Sequence, residues 1–185
     1  MSNETNNQVI RMGAALKERL FSIIEGEHRS TFIPEQFGGI VDGMVIGAEF
    51  ERNAYTWARE ESEDYNAGSW VMVKTKSRDS FFIYPTDENG TPVNNEEKMY
   101  RLEDYDEIET QVDAITFGLI ASLVALEKGT CRPMIEQSIV NIYDHKSVEL
   151  SWALEDAVNE LEEIVSAEEH KMNDDLRSYV FSFVG

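Results

Sequence analysis

Residues 114–126 form an almost unbroken apolar run, interrupted by Thr116 and Ser122. A bilayer span needs about 20 apolar residues, so this run is too short to cross a membrane. A helix that is apolar almost all round must instead be enclosed by the rest of its domain. The pattern predicts a central buried helix over 112–128, with Thr110 as N-cap and Gly129 as its stop. Gly118 and Ala121 would let a neighbouring element approach it closely. Everything else in the chain has to supply walls for this helix.

The expected walls are four more helices and a small antiparallel sheet, an α+β architecture. Val9, Leu16, Leu20, Ile23 and Ile24 share one helical face, which predicts a first helix over 6–25 closed by Gly26. Ile46, Phe50 and Trp57 place a second over 44–59. Runs 70–76 and 80–84 are β-branched and aromatic, and the short polar Ser77-Arg78-Asp79 between them predicts a hairpin stopped by Pro85. Turn formers fill 87–95, and 99–102 is expected to add a strand to the same sheet. Pro133 suits the first turn of a helix over 133–143. Leu150, Leu154, Val158, Leu161 and Val165 then mark one over 148–169, and the alternating Tyr179, Phe181 and Phe183 suggest a final edge strand. Neither a repeat nor a linker is evident, so residues 1–185 are expected to form one domain.

Acidic residues outnumber basic ones 36 to 16, for a formal net charge of −20. That balance disfavours direct contact with nucleic acid or an anionic membrane and points to a basic partner, unless the charge serves solubility alone. The 42% of hydrophobic residues argues for a folded globule. Cys131 is the single cysteine, so packing alone must hold the fold, as expected in a reducing cytoplasm. With no basic, apolar leader at the start, an intracellular location is expected.

Reactive side chains are sparse. His28, His145 and His170 are scattered and lack metal-ligand spacing, although Asp144-His145 and Glu168-Glu169-His170 each offer adjacent donors. Cys131 with His145 has the composition of a thiol–imidazole pair, but nothing in the sequence marks the thiol as activated. Phosphate loops, dinucleotide fingerprints and nucleophile elbows are missing, so no catalytic residue, metal or cofactor is expected. Phe32, Phe37, Tyr55, Trp57, Tyr65 and Trp70 cluster before the hairpin, and core packing is favoured for them over an aromatic-rimmed interface. Asp113 is read first as a helix-start acid and second as a binding residue.

Four landmarks stand in a recognisable order. Thr31-Phe32-Ile33-Pro34-Glu35-Gln36-Phe37-Gly38 comes first, followed by Tyr55 and Trp57 at the end of a helix-patterned segment. Tyr65-Asn66-Ala67-Gly68-Ser69-Trp70 leads into the hairpin and Pro85, and Val112-Asp113-Ala114-Ile115-Thr116-Phe117-Gly118 opens the buried helix. This series resembles the ArdB/KlcA antirestriction family over residues 31–145, about two thirds of the chain. Helix 6–25 and acidic helix 148–169 would then be extensions. Ala67-Gly68 stands where that family usually has two glycines, and Val112-Asp113-Ala114 replaces a Ser-Ala-Asp-Ala-like start. The resemblance implies a small non-enzymatic α+β protein of phages, plasmids or genomic islands that protects incoming DNA from type I restriction. Its partner would be a host restriction-modification or other DNA-acting defence protein.

Two mechanisms fit these residues. Glu149, Glu155, Asp156, Glu160, Glu162 and Glu163 on helix 148–169, with the acids of 87–109, would imitate phosphate. Duplex DNA carries a charge about every 1.7 Å of axis, and helix neighbours three or four positions apart lie about 5–6 Å apart at Cβ, a coarse match. Alternatively the protein is an adaptor whose working face includes Tyr65 and Trp70, and its acidity is only solvation.

Overall fold

The computed structural model describes residues 7–26, 29–66, 68–86, 98–103, 108–131 and 137–185. The expected loop at 87–95, His28, Ala67 and Pro133 lie outside them. Within them the chain runs β1 (Gln8–Ile10), α1 (Ala14–Leu20), β2 (Phe21–Ile23), α2 (Arg29–Gln36), α3 (Ile40–Glu61), β3 (Trp70–Thr75) and β4 (Phe81–Pro85). It continues through β5 (Met99–Glu103), β6 (Glu109–Asp113), α4 (Ala114–Thr130), α5 (Gln137–Leu161) and α6 (Ala167–Phe181). The fold is α+β, as expected.

Helix α4 is the axis of the molecule. Thirteen of its residues are buried, from Ala114 to Gly129, and it packs against α3, β4 and α5. At Gly118 a Cβ would lie 2.3 Å from the Ile83 carbonyl oxygen and 2.3 Å from Tyr84 Cβ, so the missing side chain is what lets β4 lie flat on the helix. Ser122 fixes that contact by accepting from the Ile83 amide at 3.0 Å. Phe117 stacks on Tyr100 with centroids 4.3 Å apart and also meets Trp57. Gly129 does not end the helix. It lies inside it, where the Tyr143 ring would be 2.4 Å from a Cβ, and the cap falls at Cys131.

Two three-stranded sheets replace the single sheet expected. One has the order β2-β3-β4, with the hairpin at its heart, and the other β1-β6-β5. Strand β5 pairs antiparallel with β6 and not with the hairpin, whereas β1 pairs parallel with β6. The N-terminal helix therefore shrinks to α1: residues 8–10 and 21–23 are captured as edge strands by partners far along the chain. Thr110 belongs to β6, and Asp113 takes the cap of α4.

At the other end, α5 is one continuous helix across the boundary expected near 143–148. Lys146, which lies in that expected gap, is 6% exposed and reaches Gln36 and Asp79. The expected acidic helix is likewise divided, because the chain turns at 162–166 and Ser166 caps α6. Tyr179 and Phe181 are helical, not an edge strand; Asn173, Leu176 and Val180 are the buried residues of α6.

Candidate interaction surface

Most residues of the ordered motifs turn inward. Phe32, Phe37, Trp57 and Ala114 are buried, and Phe37 meets Phe50, Phe81 and Tyr143 within 5.7 Å. Pro34 sits in the last turn of α2, where its carbonyl accepts from Phe37 and Gly39. Gly38 and Gly39, with φ of 103° and 111°, then reverse the chain into α3. The amide-free Pro85 closes β4 opposite Trp70, and Gly68 (φ 147°) precedes the hairpin. Tyr55 is half-buried and donates to Glu51.

Tyr65 and Trp70 are only 8% and 5% exposed. The indole of Trp70 donates to the Tyr65 hydroxyl at 2.8 Å, and these rings close the core beside Phe117. Asp113 is fully buried. Its two carboxylate oxygens accept from the amides of Met12 and Thr116, both at 2.7 Å, which ties the segment after β1 to the start of α4. Burial pushes this carboxyl up, against the pull of those donors and of Lys17. Asp113 is thus structural in position rather than presented to a partner.

The acidic residues of α5 are outward but not free. Helix α5 contributes no Lys or Arg beyond Lys146, yet arginines arrive from three other elements. Arg19 of α1 pairs with Glu160 at 2.9 Å, Arg78 of the hairpin tip with Asp156 at 2.8 Å, and Arg177 of α6 with Glu155 at 3.0 Å. Glu149 accepts the Asp79 amide, and Glu162 lies 3.7 Å from His170. Glu163 is exposed. These pairs offset the repulsion between neighbouring carboxylates on one helix face, and the face clamps α1, the hairpin and α6. The hairpin tip is the most elaborate clamp. Arg78 also lies over the half-exposed Trp152 ring at 5.1 Å, while Asp79 receives Lys146 and faces His145 at 3.2 Å.

Among the described residues no group of three His, Cys, Asp or Glu side chains is arranged to hold a metal ion. His145 and His170 each face one carboxylate, and Cys131 is exposed and unbridged. Among the same residues no helix is long and apolar enough to cross a membrane.

A concave region that the sequence did not announce lies beside the C-terminal part of α3. A cleft of about 810 Å³ is bounded by Trp57, Glu61, Glu103, Tyr179 and Phe183, from α3, β5 and the end of α6. Glu61 and Glu103 also line a second cleft of about 440 Å³ with Glu60, Glu63 and Glu109. These residues come from four distant segments, so no local pattern announces them.

Neither family models nor curated proteins match the chain. Among solved structures it is similar to that of the KlcA and ArdB proteins, at 19% identity and a TM-score of 0.56, over 71% of this chain and 82% of that one. Those proteins show a novel fold and antirestriction activity against type I DNA restriction systems in vivo but not in vitro. The likeness establishes a shared fold, the one that the ordered motifs led us to expect.

Proposed function

We propose that this chain is an antirestriction protein that protects incoming DNA from type I restriction without being an enzyme itself. The observation that carries the reading is the KlcA/ArdB fold, reached both through the four ordered motifs and through the structural likeness. Action in the bacterial cytoplasm on a protein of the host's DNA-acting defence follows from that reading and from the net charge of −20, which repels nucleic acid. Activity of KlcA and ArdB in vivo but not in vitro favours association with a cellular protein over simple occupation of a DNA-binding cleft.

The charge on α5 supports the same choice. Three of the six carboxylates suggested as phosphate mimics are engaged by Arg19, Arg78 and Arg177. We therefore assign them to holding the fold and place partner capture elsewhere. The test is transformation of a type I restricting host with unmodified and modified plasmid. Expression of the protein should raise the unmodified-to-modified ratio, and so should a variant carrying Glu155→Gln, Asp156→Asn, Glu160→Gln, Glu162→Gln and Glu163→Gln. An unchanged ratio for the parent would sink the antirestriction reading. Loss confined to the folded variant would restore mimicry by α5.

A further inference from the structure

The two clefts beside α3 meet at Glu61 and Glu103, which line both, and so form one groove with two unlike compartments. The larger has an aromatic wall. Phe183 meets Trp57 edge-on at 5.9 Å and Tyr179 at 5.2 Å, and Asp175 stands at its rim with the shared glutamates. The smaller compartment is lined by five glutamates against two arginines. One of those arginines, Arg101, is already held by Asp64 through contacts of 2.9 and 3.1 Å.

We propose that this groove receives an extended arginine-bearing segment of a partner protein, with one guanidinium against the Tyr179 and Phe183 rings and others among the glutamates. Charge complementarity selects the occupant. The lining repels phosphate and anionic lipid, while a guanidinium satisfies both compartments, because it stacks on aromatic faces and binds carboxylates in a bidentate fork. An ammonium matches the carboxylates but lacks the planar face. Two adjoining compartments suit several residues of chain better than one small cation. Recognition is through side chains and not by strand addition: β5 is an edge strand, but its outward Arg101 amide is already accepted by Asp64 at 3.0 Å.

The inference extends the antirestriction reading by naming the partner's chemistry. Its test needs neither phage nor restriction enzyme, so either can fail alone. A fluorescein-labelled octapeptide alternating glycine and arginine, and its twin with citrulline at each arginine, are titrated with the full-length protein at low salt and read by polarisation. The arginine peptide should bind. Citrulline replacement, or the double variant Glu61→Gln with Glu103→Gln, should weaken binding about tenfold. Ser178→Trp, which fills the aromatic compartment from an exposed helix position, should do the same. Glu162→Gln with Glu163→Gln, which do not line the groove, should change binding less than about twofold. Three results would overturn the proposal. They are binding insensitive to the groove variants, equal losses from the Glu162 and Glu163 control, and self-association of the protein abolished by the groove variants. If Ser178→Trp does not fold, the isosteric glutamine variant decides the matter.

Discussion

Replacing Gly118 with alanine tests the packing of α4 directly. The added Cβ would stand 2.3 Å from the Ile83 carbonyl oxygen, 2.3 Å from Tyr84 Cβ and 2.4 Å from Tyr84 Cα. Ordinary carbon contacts lie near 3.5–4.0 Å, so β4 and α4 must separate by about 1 Å. Both sides are backbone-anchored, and the Ser122–Ile83 hydrogen bond at 3.0 Å lies one turn along the same contact. Overpacking of this kind costs about 1–3 kcal/mol, and an orphaned Ile83 amide adds about 1–3. Relief of a glycine inside a helix returns about 1 kcal/mol. The net expectation is a loss of about 3 kcal/mol, or about 10 °C in Tm for a chain of this size. Urea and thermal unfolding followed by circular dichroism measure it, with Val45→Ala, at a position 75% exposed, as a control expected to stay within about 0.5 kcal/mol. A Gly118→Ala protein as stable as the parent, or more so, would refute the close approach of helix and strand.

Asp113→Ala should lose the α4 cap and strand the buried Met12 amide, costing about 3 kcal/mol by denaturant titration, whereas a binding-only aspartate would leave stability unchanged. The Arg101 guanidinium holds the Asp64 carboxyl below its ordinary value. That pair's stabilisation is therefore complete above the ordinary carboxylate range and lost as pH falls through the lowered value, so Asp64→Asn should flatten the acid limb of a Tm-versus-pH profile. A profile identical to the parent's would remove the pair from the account. Cys131→Ser and His145→Ala, made separately, should keep protection in a restricting host; its loss in a folded variant would point to chemistry at either residue.

The buried helix, the hairpin and the aromatic core were legible because each is written into contiguous residues: the apolar run at 114–126, the β-branched and aromatic runs at 70–76 and 80–84, and rings spaced along 32–70. The N-terminal segment was not. Val9, Leu16, Leu20, Ile23 and Ile24 satisfy a helical period, yet Gln8 pairs with Thr110 and Phe21 with Thr75, and edge pairing over such separations leaves no local trace. The continuity of α5 was hidden for a related reason. The polar Asp144-His145-Lys146-Ser147 interrupts the apolar period, and the buried position of Lys146 depends on Asp79 and Gln36 arriving from elsewhere. The acidic face of α5 was visible as composition, but its arginine partners at 19, 78 and 177 were not. The groove combines glutamates of α3 and β5 with α6 rings that had resembled a strand, so it emerges only once the chain is folded.

Protection of DNA in a living cell is the direct readout of antirestriction. Unmodified and modified phage are plated on a type I restricting host with and without this gene, and the plating ratio is compared. An antirestriction protein raises the ratio for unmodified phage towards unity when expressed and leaves modified phage unaffected. Equal restriction with and without soluble, folded protein would contradict the antirestriction reading.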